Sequence, residues 1–266
     1  LQQTHGWDFD FSNPVVYLRQ AIESLTVNHV FGMKTNWRQF KTFMGILREI
    51  VGKEGEAFTD FELIEVFFPD IKYLFLKRRN KIKQAISFSK GMQTGIWKAT
   101  PEELKIYQDY VLPPRYDRFH IECCLDEILA MDEGWEQFLA SYPGEYMKIW
   151  YEDLAEEFTK GMLEIYKYLG VDPNLKEPEP VTKKLANKQS EDWYQKFTNE
   201  TDWLENKQLH QALISGDTRK ALILRAEKVF FDKGQNHWFR MPVNRNKKLK
   251  YYLFRLNKKV SKFLKK

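Results

Sequence analysis

Two arginines, Arg78 and Arg79, close the apolar run at 71–76, and a serine, Ser87, follows Arg79 by eight residues. The run is short and bounded by charge, which reads as a buried strand. Beyond the arginines, Ile82, Ala85, Ile86 and Met92 fall on one side of a helix, so Ser87 stands on its second turn. A strand that delivers guanidinium groups into the turn before a helix sets them beside free backbone N–H groups. Such a corner suits a phosphate or sulfate, which takes two parallel N–H bonds from an arginine and more from the helix start. The hydroxyl of Ser87 would face the same anion. A basic pair flanking an ordinary buried strand, with a serine turned to solvent, has the same spacing, and spacing alone leaves the two readings level.

The elements that must position this corner follow from local signals. Ser12-Asn13-Pro14 starts an amphipathic helix over 15–25, and Asn36 starts another that runs to about Val51, with Phe40, Phe43, Leu47 and Val51 as its buried stripe. Between them HVFGMKTNW reads as a brief strand carrying Gly32 and Lys34. A short helix over 59–67 precedes the apolar run. After Pro101 the chain passes into helices broken at Pro113-Pro114, then a long helical region over 115–142 in which Trp135 is a core anchor. The stretch 147–150 alternates as a strand and runs into YEDL, where Glu152 and Asp153 sit at a helix start that favours negative charge. That helix is expected to continue to Leu169 and stop at Gly170. Residues 171–182 form a proline-rich link.

Composition bounds the class. Of 266 residues 43% are hydrophobic and 15% aromatic, ample for a core and contrary to global disorder. No apolar run approaches the roughly 20 residues that span a bilayer, and no signal peptide is visible. Cys123 and Cys124 are adjacent, which disfavours a relaxed disulfide, and the five histidines show no ligand spacing. Both cysteines read as helix residues in a reducing compartment. The net charge of +5 is uneven: eleven of the 42 Lys and Arg lie at 240–266, where there is no Asp or Glu, so the rest of the chain carries 31 cations against 37 carboxylates. Within that tail Leu249, Leu253, Leu256, Val260 and Phe263 make one apolar stripe on a lysine-covered helix. Lying on anionic lipid, pairing with another helix and covering the core compete as its use.

The stretch RNKIKQAIS, Arg79 through Ser87, resembles the 3′-phosphate-binding element of sulfotransferases that use 3′-phosphoadenosine 5′-phosphosulfate (PAPS). The overlapping QAISFSKGMQTGIW resembles the carbohydrate sulfotransferase family that includes bacterial trehalose 2-sulfotransferase. The resemblance extends over about residues 30 to 205. It implies an α/β, P-loop nucleotide-kinase-like three-layer fold with a central parallel sheet, to which the sequence adds the basic C-terminal helical tail. It divides the chain into a sulfotransferase-like domain over 1–205 and a helical extension over 206–266.

By the same resemblance Arg79 and Ser87 hold the 3′-phosphate, while Lys184, Lys188 and Ser190 belong to a late basic loop over the nucleotide, with Trp193 packed behind. Lysine stands at positions where the family often has arginine, which keeps the charge and loses the bidentate fork. Gln93 and Trp97 are implied on the substrate side. Lys34, in a GMK that resembles a Gly-Gly-Lys strand end, is the candidate catalytic contact, level with its reading as a solvated lysine; the base is unassigned. YEDL is a fold marker of sulfotransferases.

The implied activity is transfer of a sulfuryl group from PAPS to a hydroxyl of a carbohydrate or glycolipid, without a metal. The implied partner is that acceptor; the basic tail over 247–266 adds a membrane surface as one of its competing uses, a second copy of the chain is an open alternative, and the expected location is cytoplasmic or peripheral on the membrane face. The family also opens with a strand and a loop resembling Arg-Ser-Gly-Ser-Thr, which is not found here, and GMQTG at 91–95 reads as mid-helix. The chain is then a fragment, which its start at Leu1 favours, or a degenerate, non-catalytic scaffold. A nucleic-acid-binding module is the remaining class, weakened by aromatics at helix-core spacing and by the acidic body.

Overall fold

The computed structural model describes residues 13–27, 30–97, 112–172 and 187–231, without the side chains of 203 and 226–231. Two compact units emerge, one of residues 1–73 with 134–146, the other of 74–133 with 147–266.

The first unit is built from helices whose starts are written locally. Helix α1, Pro14–Leu25, has Pro at its first turn, and the Asn13 side chain accepts from the Val15 and Val16 amides at 3.0 and 3.3 Å. Helices α2, Trp37–Val51, and α3, Asp60–Phe67, both open with capping boxes, Asn36 with Gln39 and Thr59 with Glu62. The buried stripe of α2 is Phe40, Met44 and Leu47; Met44 takes the place expected for Phe43, which is half-buried. Arg48 ties the connection to α3 by donating to the Gly55 and Phe58 carbonyls and to Asp60.

Beside the buried Met44, Leu47, Leu63, Ile64 and Leu139 lies an aromatic cluster. Trp37, Phe40, Trp135 and Phe138 pack with centroids 4.7–6.4 Å apart, and Phe61, Tyr73 and Tyr142 extend the cluster. Gly134 is required by this packing, because a Cβ there would lie 2.3 Å from the Trp37 indole. The strand expected around Gly32 and Lys34 is not formed. Val30 makes only an isolated bridge to Val27, and 31–36 is irregular, with no partner strand among the described residues to take its hydrogen bonds.

The second unit centres on a small parallel pair of strands, β1, Tyr73–Lys77, and β2, Tyr146–Trp150. The molecule is thus mixed α/β but mostly helical, and the large central sheet of a three-layer fold is not what the described residues display. The pleat of β1 turns Phe75 and Lys77 inward and leaves Leu74 and Leu76 exposed, so only one face is buried where a fully buried strand was expected.

Helix α4, Lys81–Thr94, follows β1, capped by the Asn80 side chain accepting from the Lys83 amide. Ile82, Ala85 and Ile86 are buried as expected, but Ser89 continues the stripe and Met92 is 55% exposed. The Ser89 hydroxyl can be buried because it pairs with His120 Nδ1 at 2.9 Å. Thr94 ends the helix at Gly95, whose φ of 74° makes the left-handed cap, so GMQTG spans a helix end rather than its middle.

Helix α5, Arg118–Ala140, contributes Ile121, Cys124, Leu125, Ile128 and Leu129 to the core. The helix expected over 151–169 is two: α6, Tyr151–Glu156, and α7, Phe158–Leu169, broken at Glu157. The break lets Leu154 pack onto Gly161, where a Cβ would meet its Cδ1 at 2.7 Å. Gly170, at φ 73°, ends α7 as anticipated.

Helices α8, Lys188–Glu200, α9, Lys207–Ser215, and α10, Thr218–Phe231, close the core with Trp193, Phe197, Leu209, Leu213 and Ala221. Each fully buried leucine or phenylalanine contributes about 1.5–3 kcal/mol. Arg225 on α10 anchors to Asp126 on α5. Residues on both sides of 205 therefore share one core.

Candidate active site

The β1–α4 corner has the shape of an anion cradle, and it holds two carboxylates from the YEDL segment at the start of α6. Glu152 accepts from the backbone amides of Arg79 at 2.9–3.1 Å and Asn80 at 3.4 Å, so it sits at the positive end of α4. The Arg79 guanidinium donates both prongs to Asp153, at 2.5 and 2.7 Å, and stacks over the Trp150 ring at 4.9 Å. The hydrogen bonds to Asp153 raise the Arg79 pKa and hold the Asp153 carboxyl below the usual carboxylate range. Arg78 lies over the Tyr151 ring, 3.8 Å from Glu152, and its buried Nε has no hydrogen-bond partner.

Behind the corner lies a sealed polar cluster. The Lys77 ammonium donates to the Gly216 carbonyl and to Thr218 Oγ1, both at 3.1 Å. Lys81, with no exposed side chain, donates to Asp132 at 2.5 Å, and burial lowers its pKa against the opposing pull of that carboxylate. Gly216 adopts a φ of 76°, and a Cβ there would stand 2.9 Å from the Trp150 ring and 3.1 Å from Arg79 Cα. The glycine is what lets the α9–α10 turn close against Arg79.

Ser87 is exposed on α4, eight residues beyond Arg79, and its hydroxyl has no partner among the described residues. It stands between Lys83 and Lys90 on one helix face, four and three residues away, and both lysines reach α8. Lys83 pairs with Glu191 at 2.9 Å; Lys90 donates to Asn187 at 3.1 Å and to Ser190 at 2.9 Å. Lys188 and Ser190 thus occupy the first turn of a helix, where a loop was expected, because Asn187 caps it. Lys188 is exposed, and Trp193 is buried behind them.

Lys184, the link over 173–182, 98–111 and the tail including 247–266 lie outside the described residues. Lys34 is exposed in the first unit. Gln93 is engaged structurally: its carboxamide accepts from the Arg115 amide at 2.8 Å and donates to the Arg115 carbonyl at 3.0 Å. Trp97, 55% exposed, packs on Gly91 and Phe88.

Lys90 is the contact sequence reasoning missed. Burial lowers its pKa, and its place in the Lys83–Ser87–Lys90 stripe was the available signal. In the first unit a cleft of about 580 Å³ is lined by Trp37, Phe61 and Phe138 with Lys41, Glu62 and Gln137 among its polar groups. Among the described residues no cluster of three His, Cys, Asp or Glu could hold a metal, and no helix is long and apolar enough to cross a membrane.

Two relatives carry the description trehalose 2-sulfotransferase. That of Mycolicibacterium smegmatis is 23% identical over 186 residues, 69% of this chain and 67% of its own. That of Mycobacterium tuberculosis is 22% identical over 192 residues, 72% of this chain and 69% of its own. The family model for Stf0 sulphotransferase matches residues 8–200, reaching further toward the N-terminus than the motifs alone and including the β1–α4 corner, YEDL and the α8 face. With well over half its length matched, the chain belongs to the Stf0 sulphotransferase family.

Proposed function

We propose that the protein moves a sulfuryl group from PAPS to a hydroxyl of a carbohydrate or glycolipid. The observation that carries this reading is the Arg79 fork at the strand–helix corner, which already binds an anion bidentately and sits eight residues before an open serine hydroxyl. The relatives described as trehalose 2-sulfotransferases support a sugar acceptor. Arg79 and Ser87 hold the ribose 3′-phosphate. Lys188 and Ser190, with Lys184, lie over the nucleotide, and Lys90 positions Ser190. Lys34 meets the sulfuryl group or the acceptor.

In the reaction the acceptor oxygen attacks sulfur in line with the leaving oxygen. The new S–O bond forms as the old one breaks, and adenosine 3′,5′-bisphosphate (PAP) departs with the electron pair. A base takes the hydroxyl proton, and cations stabilise charge building on the leaving and equatorial oxygens. Gln93, which braces residue 115 at the far end of α4, and Trp97 lie on the substrate side.

The test is transfer from PAPS to trehalose and to a panel of sugar and glycolipid acceptors, read by mass spectrometry of the sulfated product together with PAP release. Equimolar sulfated sugar and PAP are expected. PAP binding without transfer to any acceptor would favour the non-catalytic scaffold instead.

A further inference from the structure

We infer that Asp153 is a displaceable counter-ion for Arg79, a protein carboxylate that keeps the guanidinium fork in place and is exchanged for the ligand's phosphate. The inference rests on the reading that Arg79 takes the 3′-phosphate.

Four observations carry it. Asp153 takes the end-on N–H pair of Arg79, at 2.5 and 2.7 Å, so a phosphate that binds through that fork must displace it. The Asp153 side chain is 62% exposed and that of Arg79 36%, so the released carboxylate returns to water with little loss of solvation. Arg79 stacks on Trp150 at 4.9 Å, which preserves the plane of the guanidinium while its anion changes. Glu152 separately holds the backbone amides of Arg79 and Asn80, so the corner keeps its shape when Asp153 leaves.

The two adjacent carboxylates of YEDL therefore have different duties. Glu152 is a fixed brace for the backbone, and Asp153 is a competitor at the side chain. Asp153 is a positioning residue: it lowers affinity for anions that cannot outbid one carboxylate and yields to a dianionic phosphate.

The experiment is calorimetry with PAP and with adenosine 5′-monophosphate, which lacks the 3′-phosphate, on wild type, Asp153→Asn, Asp153→Glu and Arg79→Ala. Release of an exposed ion pair predicts that Asp153→Asn binds PAP about two- to fivefold more tightly. Its affinity for the monophosphate and its melting temperature stay unchanged, and Asp153→Glu behaves as wild type. A purely structural Asp153 would not confine the effect to the ligand with the 3′-phosphate. Unchanged or weaker PAP binding by Asp153→Asn, with Arg79→Ala still impaired, overturns this inference alone. PAP bound no better than the monophosphate by wild type overturns the underlying placement of the 3′-phosphate, and the inference with it.

Discussion

Lys81 and Arg79 lie two residues apart, and each meets a carboxylate at 2.5 Å, Lys81 with Asp132 and Arg79 with Asp153. The pairs match in distance and differ in everything else. The Lys81 side chain is wholly buried and that of Asp132 14% exposed, against 36% and 62% for Arg79 and Asp153. A sealed pair cannot lose one partner without stranding a charge in a poor solvent, whereas an open pair exchanges its partner for water or for another anion at small cost. Distance alone does not assign a role to an ion pair here; burial does. The sealed side of the corner holds the fold, and the open side can exchange its partner at little cost to stability.

The largest effect expected from breaking this contrast is on the sealed side. Asp132→Ala strands the Lys81 ammonium and removes an acceptor of Thr218, at a cost of about 3–5 kcal/mol in chemical denaturation. Asp153→Ala should leave the denaturation midpoint where it was. Equal losses from the two substitutions would erase the distinction.

Gly216 joins the two sides, since its backbone serves Lys77 and its missing Cβ leaves room for Arg79 and Trp150. Gly216→Ala puts a side chain at φ 76° against that ring and costs about 1–3 kcal/mol, with PAP affinity falling as the corner shifts. An alanine variant with wild-type stability and affinity would show that the turn has slack.

Smallest is the alkaline response of the sealed core. Burial pushes the Cys123 thiol up to about 11 and that of Cys124 to about 12, with nearby carboxylates adding to the shift. Both stay protonated at pH 8, so alkylation of native protein is slow there. A folded-state value above the unfolded one means the folded chain holds these protons longer. Their contribution is complete below about pH 9 and is lost as pH rises through about 11 to 12, lowering the melting temperature in that window. Fast labelling of Cys124 at pH 8 would place that thiol outside the core.

What was legible in the sequence was local. Asn13, Asn36 and Thr59 announce helix starts, and Gly170 a helix end, because caps act within three or four residues. The strand and helix of the β1–α4 corner were readable from a short apolar run bounded by charge and the helical period after it, although spacing alone left the anion-binding reading level with an ordinary basic flank. The partners of that corner were not. Glu152 and Asp153 lie more than 70 residues away, and a pair that distant leaves no trace in spacing.

Other differences have equally specific causes. Lys81 is wholly buried because Asp132 is brought to it, which no local signal announces, and Met92 yields its place in the stripe to Ser89 because His120 satisfies the hydroxyl. The break at Glu157 has no proline or glycine at the break itself to announce it, and it brings Leu154 onto Gly161. Of the candidate site, motif likeness nominated Arg79, Ser87 and Ser190, while Lys90, which ties Ser190 to α4, needed the helices in place.

The most direct measurement is a thermodynamic cycle between Arg79 and the ligand's 3′-phosphate, built from calorimetry of wild type and Arg79→Ala with PAP and with adenosine 5′-monophosphate. Arg79→Ala is expected to weaken PAP binding by at least about tenfold, since a charge-assisted hydrogen bond contributes about 1.5–3 kcal/mol, and to leave the monophosphate unaffected. Equal losses for the two nucleotides, or no loss for either, would contradict the assignment of Arg79 to the 3′-phosphate.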